Sequence, residues 1–424
     1  MSHVLIASVA TPGHVYPMLT IARHLVTQGH QVTLFSGVLF REQALAAGLG
    51  FVAFEPEIDF DYRFLERHFP ERAILPPGHA QMALALRGFF SGPIPVLDRQ
   101  LQQILAQNAI DVVMVGNCFY GILPLLARRS RPPVIGIGVT PLSFSTRDAI
   151  FYGPRIPPAL LPPELTREQL IDAPTRELID GVKAAFDKAM VASGQQPLDK
   201  PHTDALIGGC DRFLQLSTTE LEYPRDDLPP SVRFVGPLPL NVSDVETDNT
   251  MWPGQDTRPL VIVSQGTLAN VDLQQLIGPT LRALAHFPVR VLATTGGRSV
   301  ASLADSVPEN ARVCRFVSLE HWLPQAALLI TNGGYGSLNA ALSHGVPLIV
   351  AGTGEDKSET AARVVLAGCG LNLATSTPSE SQIAQAVQRI LAHPIYTHRA
   401  RWIQEDCARH DALAAIAQEV AALG

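Results

Sequence analysis

The tightest constraint on this chain is the order of elements between His3 and Phe35. A β-type run (His3–Val9) is followed by a proline–glycine turn, a helical stretch and a second β-type run (Gln31–Phe35). Pro12–Gly13 marks the turn. Pro17 suits the first position of a helix, where a missing N–H costs nothing. Met18, Leu19, Ile21, Ala22, Leu25 and Val26 then recur at helical spacing. Gly29 fits the left-handed residue that ends a helix. Two strands joined through one helix must run parallel, and parallel strands imply a doubly wound sheet with helices on both faces.

The same rhythm returns along the chain. Further strands are predicted at Phe51–Phe54, Asp111–Val115, Val134–Val139 and Arg233–Val235. Residues 237–258 are rich in Pro, Asp, Asn and Thr and read as a linker. A second series follows at Leu260–Ser264, Arg290–Thr294, Val313–Phe316, Leu328–Thr331 and Leu348–Ala351. With 424 residues, two or three domains are expected. The fold class is α/β: a Rossmann-like half over residues 1–236, the linker over 237–258, and a second Rossmann-like half over 259–397. Ligands of such sheets bind at the carboxyl ends of the strands, here expected in a cleft between the halves. Residues 55–100 and 141–200 break the rhythm with many prolines and with Phe60, Phe64, Phe89, Phe90, Phe144 and Phe151. They read either as packing under long insertions or as an apolar pocket.

Several classes are excluded or disfavoured. The net charge of −7 offers no basic face for nucleic acid. The five cysteines (Cys118, Cys210, Cys314, Cys369, Cys407) are odd in number and form no C-x-x-C pair, which argues for a reducing, cytoplasmic setting. No Zn-type Cys/His spacing occurs, so no metal is expected. The N-terminus lacks a basic region and the long apolar run of a signal peptide. Between Glu320 and Glu355 there is no Asp, Glu, Lys or Arg, yet Asn332–Gly334, Gly336 and Gly345–Pro347 cut that stretch too finely for a membrane span.

Two motifs carry chemistry. Thr331-Asn332-Gly333-Gly334-Tyr335-Gly336-Ser337 lies between a strand and a helix predicted to end near His344. Its glycines let backbone amides approach a ligand, and a helix start with its partial positive charge binds phosphate without a metal. Pro12-Gly13-His14-Val15-Tyr16-Pro17 lies at the equivalent place in the first half. An imidazole near pKa 6.5 can accept a proton at neutral pH.

Together with the segments 12–32, 232–238, 259–267 and 332–364, these motifs resemble the nucleotide-sugar-dependent glycosyltransferases of the UDP-glycosyltransferase and macrolide-glycosyltransferase superfamily. The resemblance implies the two-domain GT-B fold, with the acceptor on the N-terminal half and the donor on the C-terminal half. It also implies a closing helix at about 398–421 that returns to the first domain. His14 falls on the family's catalytic base, which deprotonates the acceptor hydroxyl for an in-line, inverting displacement. Gly13, Thr267, Phe316, Val317, Asn332, Gly334, Gly336, Ser337, Asp356 and Lys357 fall on the donor side. Among these, Phe316 would stack on the base, Gly336 and Ser337 would hold the diphosphate, and Asp356 would bind the sugar hydroxyls. The acceptor side is expected to draw on Phe89, Phe90, Asn117, Phe119 and Phe144. The implied partners are a nucleotide sugar as co-substrate and a small apolar acceptor, with no further cofactor.

This chain departs from the family at four places. The usual phosphate-binding His is Asn332, and the usual Gln after the sugar-binding acid is Lys357. The position of the acid that grips the ribose is Ala340, which favours a deoxyribose donor. No acid stands near Gly116–Asn117, where relatives keep one to orient the histidine. Trp322-Leu323-Pro324-Gln325 resembles a base-stacking element but stands too close to Asn332, so Trp322 is expected to be a packing residue. Asp59-Phe60-Asp61 imitates a metal motif of another fold. Gly208-Gly209-Cys210 reads as a turn, Cys118 as a small buried hydrophobe, and Asp226–Asp227 as solvated loop. The alternative to an enzyme is a non-catalytic nucleotide-sugar-binding protein on the same fold. An epimerase would need further carboxylates that the glycine-rich motif lacks.

Overall fold

The computed structural model describes residues 1–75, 79–145, 165, 167–239, 256–266, 270–354 and 356–424. The chain forms two compact units. The first comprises Met1–Leu216, Pro224–Leu238 and Asp411–Gly424, and the second Ser217–Tyr223 and Pro239–His410.

The first unit holds a seven-stranded sheet. Its strands are β1 (His3–Ala7), β2 (Gln31–Ser36), β3 (Gly50–Ala53), β4 (Val112–Gly116), β5 (Val134–Gly138), β6 (Arg212–Gln215) and β7 (Val232–Phe234). The order is β3-β2-β1-β4-β5-β6-β7, and every pairing is parallel. The second unit holds β8 (Leu260–Ser264), β9 (Arg290–Thr294), β10 (Ala311–Cys314), β11 (Ala326–Thr331), β12 (Leu348–Val350) and β13 (Gly370–Asn372). Its order is β10-β9-β8-β11-β12-β13, again parallel.

The central strands are continuous Val/Ile/Leu runs because helices cover both faces of a parallel sheet. Along β8, Val261 and Val263 enter one core while Leu260 and Ile262 enter the other. The helices used below are α1 (Pro12–Thr27), α2 (His79–Ala85), α3 (Ala173–Ala192), α4 (His202–Gly209), α5 (Tyr335–Ser343), α6 (Lys357–Leu366), α7 (Ile395–Cys407) and α8 (Ala412–Leu423).

The predicted strands are present, and two that were not predicted, β6 and β13, join them. Four corrections concern where elements begin and end. Helix α1 begins at Pro12 rather than Pro17, with Thr11 as its N-cap, so that His14 lies within its first turn and Pro17 inside the helix. Pro12 takes the place where no amide partner is needed. Gly208 and Gly209 close α4 instead of forming a turn. The strand expected to reach Phe316 stops at Cys314. The single closing helix is two, because the Asp411 carboxylate accepts the Ala414 amide at 3.0 Å and starts α8 afresh. Helix α7 belongs to the second unit and α8 to the first. In the first unit Glu419 of α8 receives Arg212 at 2.8 Å and pairs with Arg233.

A buried imidazole in the first unit sets a pH response. His202 opens α4, stacks on Phe186 of α3 (centroids 4.1 Å apart, 12° between planes) and meets the Tyr120 ring edge-on. Burial pushes its pKa from the ordinary 6.5 down to about 3. Between those values the unfolded chain binds a proton that the native state refuses. Stability is therefore complete above about pH 6.5 and falls as pH drops, by about 2 kcal/mol at pH 5. His202→Phe preserves the stack and should lose less stability between pH 7 and pH 5 in urea unfolding; an equal loss in both proteins would show that His202 is not held neutral.

Candidate functional site

In an open parallel sheet the ligand crevice opens where the strand order reverses. In the first unit that point lies between β1 and β4, whose ends meet at Ala7 and Val115. The β1–α1 connection rises there to the N-cap Thr11, and the first turn of α1 carries Gly13 and His14. The amides of His14 and Val15 donate to the Thr11 carbonyl at 3.0 and 2.9 Å. His14 is half-buried, with its Nδ1 enclosed. Gly13 is exposed, and a Cβ added there would meet nothing within 4 Å.

Beside this turn lies an apolar pocket. Val9 and Ala10 of the same connection form one wall, Phe54 and Phe60 another, and Phe89, Phe90, Phe119 and Tyr120 much of the remainder. Its free volume is about 30 Å³, which holds a water or two. Phe89 and Phe90 enter it from a π-helical turn (Leu86–Phe90) that continues α2. Such turns widen a helix by one residue and recur at functional sites. Gly88 in that turn lies against Phe69: a Cβ there would come within 2.6 Å of the ring. Rings of Phe60, Phe69 and Phe89 pack edge-on or tilted at 5.3–6.4 Å.

Of the five residues expected on the acceptor side, Phe89, Phe90 and Phe119 line this pocket and two lie elsewhere. Asn117 is buried and engaged as a fastener between strand ends: its Nδ2 donates to Thr140 Oγ1 at 2.6 Å, and its Oδ1 accepts the Val139 amide at 3.1 Å. Phe144 sits near Gly208 at the end of α4. Cys118 lines the pocket, half-buried. Phe54 and Tyr120 were not singled out from sequence, although Tyr120 adjoins Phe119, which was, in the segment that follows a predicted strand. Phe151 lies outside the described residues. Asp59 accepts the Val38 amide at 2.8 Å. Burial raises its pKa against the effect of that bond, and the Asp61 charge adds to the rise. Among the described residues no group of three or more His, Cys, Asp or Glu side chains is arranged to hold a metal ion.

In the second unit the strand order reverses between β8 and β11, which meet at Ser264 and Thr331. Gln265 and Gly266 follow β8; Asn332, Gly333 and Gly334 follow β11 and lead into α5. Gly333 has φ +97, and a Cβ there would lie 2.9 Å from Val350 and 3.3 Å from the Lys357 Cβ, so only glycine fits. Gly336 is exposed, and a Cβ on it would meet nothing within 4 Å. Ser337 beside it is half-buried. Helix α5 therefore starts with glycine backbone facing open space, the geometry in which amides reach an anion.

Asn332 is buried, and its Nδ2 donates to the Gln265 carbonyl at 2.5 Å, latching the two loops together. Asn270, fully buried, fixes the far side by donating to the carbonyls of Gly266 (2.9 Å) and Thr295 (2.8 Å). Thr267 lies outside the described residues. Phe316 is 39 % exposed and lies over Gly297, where a Cβ would come within 2.7 Å of the ring. It is an aromatic shelf with one face supported by backbone. Val317 is buried, and Trp322 packs in the core as expected. Asp356 is half-buried and immediately precedes α6. Lys357 is 8 % exposed, its stem running past Gly333 and Gly352. Ala340 is buried in the same core as α5's Leu338. Asn339 turns inward, its Nδ2 donating to the Tyr335 carbonyl at 3.1 Å.

Residues 279–423 match the family model "Erythromycin biosynthesis protein CIII-like, C-terminal domain". The chain is 32% identical to UDP-glycosyltransferase 2 of Phaeomoniella chlamydospora, over 99% of this chain and 95% of that one. It is 33% identical to 4'-demethylrebeccamycin synthase of Lentzea aerocolonigenes, over 97% of each. Among solved structures, a calicheamicin glycosyltransferase superposes with a TM-score of 0.75 at 21% identity, covering 100% of this chain and 98% of that one.

Proposed function

This chain belongs to the UDP-glycosyltransferase superfamily and has its two-domain α/β GT-B fold; from that premise we propose that it moves a sugar from a nucleoside diphosphate to a hydroxyl of a small apolar acceptor, with inversion and without a metal. That it is a glycosyltransferase using a nucleotide sugar follows from its relatives. The finer reading is supported above all by one observation: each unit offers, at its own strand-reversal point, the half of the chemistry the other lacks. The first offers an imidazole beside an apolar pocket, the second an open glycine helix start.

In this reading the acceptor's apolar body displaces side chains of the Phe60–Phe89–Phe119 pocket. The His14 Nδ1 is enclosed, which leaves Nε2 to take the hydroxyl proton. The acceptor oxygen attacks the anomeric carbon as the bond to the diphosphate breaks. The nucleoside diphosphate departs with its charge held by the amides at Gly334, Gly336 and Ser337. Phe316 stacks on the base, the Val317 backbone reads its edge, and Asp356 orients the sugar hydroxyls. Thr267 is assigned to the phosphate side. Lys357 supplies a cation where Asn332 has none. No cofactor beyond the nucleotide sugar is needed, because backbone amides take the role a metal would otherwise fill.

The reading is tested by a thermal-shift panel of UDP- and dTDP-sugars. A ligand at 100 times its Kd should stabilise the protein by about 2.7 kcal/mol. The dTDP forms should shift Tm at least as far as the UDP forms, since Ala340 offers no partner for a ribose 2′-hydroxyl. A strict preference for UDP would refute that assignment, and no shift with either would refute the donor site.

A further inference from the structure

Between β6 and β7 the chain leaves the first unit for seven residues, and this segment, Ser217–Tyr223, is built into the second. Buried polar attachments tie it to two helices, α5 and α6. Ser217 Oγ donates to Asn339 Oδ1 at 2.7 Å, and Asn339 in turn donates to the Tyr335 carbonyl at the start of α5. Leu221 joins the core formed by α5 and α7. Glu222 receives both Nε (2.9 Å) and Nη2 (2.7 Å) of Arg363 in α6, with side chains 4% and 2% exposed. The Tyr223 ring lies 4.2 Å beneath the guanidinium, and its hydroxyl donates to Glu359 at 3.1 Å. Arg363 also reaches Glu359 at 3.1 Å.

A buried ion pair is a poor way to gain stability, because desolvating two charges roughly cancels their attraction. What it supplies is direction: a guanidinium fork held by a carboxylate and an aromatic face has few alternative positions. The two helices it fixes are the ones that begin at the proposed donor loops. Helix α5 follows Asn332–Gly334, and α6 follows Asp356. None of the residues in this cluster has a part in the chemistry described above.

We propose that Ser217–Tyr223 is a brace that sets the angle between α5 and α6, making Glu222, Arg363 and Ser217 positioning residues for the nucleoside diphosphate. The brace rests on the donor-site reading above. Its consequence is that donor affinity depends on side chains that never touch the donor. An error of about 1 Å in aim is enough to lose much of a bound ligand's contribution.

The experiment measures UDP and dTDP binding by calorimetry, and donor KM, kcat and acceptor KM, in the full-length protein and two variants. Glu222→Gln keeps the shape and removes the charge, and should weaken nucleotide binding about tenfold, with donor KM rising in step and acceptor KM unchanged. Ser217→Ala deletes one hydroxyl, and should weaken nucleotide binding about threefold at a nearly unchanged Tm. If the folded variants lose Tm but keep the wild-type nucleotide Kd, the segment is ordinary core and the proposal fails. Should Glu222→Gln not fold, Ser217→Ala decides by the same criterion. Failure of the wild-type protein to bind either nucleotide would instead remove the donor reading itself.

Discussion

The His14→Ala variant should bind nucleotide sugar as the wild type does and transfer almost none of it. A positioned base contributes about 10²–10⁴-fold to such a step, so kcat should fall by that factor while the donor Kd, set in the other unit, stays constant. The pH profile supplies an independent reading. In the wild type, activity should rise with pH as the imidazole loses its proton; in the variant this ascending limb should disappear. Alanine removes the ring from the first turn of α1 without disturbing its start, because Pro12 and the Thr11 carbonyl are untouched. Unchanged turnover would eliminate His14 as the base. Donor binding with no acceptor-dependent release of nucleoside diphosphate in the wild type would point to the non-catalytic alternative, for which the uncharged Asn117 and the latched Asn332 are the two supporting features.

The architecture was legible because parallel sheets write themselves as near-continuous aliphatic runs, and such runs at β1, β8, β11 and β12 admitted one reading. Strands β6 and β13 were missed because Arg-Phe-Leu-Gln and Gly-Leu-Asn are too short to show a period; they are strands only because an existing edge offers them partners. The start of α1 was misplaced because two prolines, Pro12 and Pro17, both satisfy the rule for a first helical position, and only the packing of the β1–α1 turn chooses between them. At the candidate site, Gly333, Gly336 and His14 were readable from residue type and spacing. Asn117 was not: an amide after a strand serves a ligand or a neighbouring strand equally well, and here Val139 and Thr140 consume it. The Glu222–Arg363 pair lies 141 positions apart in the chain and leaves no local signal at all. Phe89 and Phe90 were visible as aromatics, whereas the π-turn that carries them, with Gly88 lying against the Phe69 ring, left no local signal.

Two glycines of the second unit should respond to the same substitution in opposite ways, and the contrast separates scaffold from site. Gly352 follows β12, where Ala351 donates to the Thr331 carbonyl at 2.8 Å. A Cβ on Gly352 would lie 2.0 Å from the Asn332 carbonyl oxygen and 2.9 Å from Lys357 Cδ. The oxygen belongs to backbone that is latched to Gln265 and cannot retreat cheaply. Gly352→Ala should therefore cost about 1–3 kcal/mol, as overpacking against fixed backbone does, and pull the Asn332–Gly334 loop out of place, lowering Tm and nucleotide affinity together. Gly336 lies in the first turn of α5 with open space where a side chain would go. Alanine there improves helix propensity by up to about 1 kcal/mol, so Tm should hold or rise. Yet the added methyl occupies the approach to the amides assigned to the diphosphate, and UDP binding should weaken by about tenfold or more. Stability and affinity falling together at Gly352 but parting at Gly336 is the signature of an anion site built on bare backbone. If Gly336→Ala binds UDP as tightly as the wild type, the phosphates do not approach α5 at that point, and the open glycine is a surface feature of the helix alone.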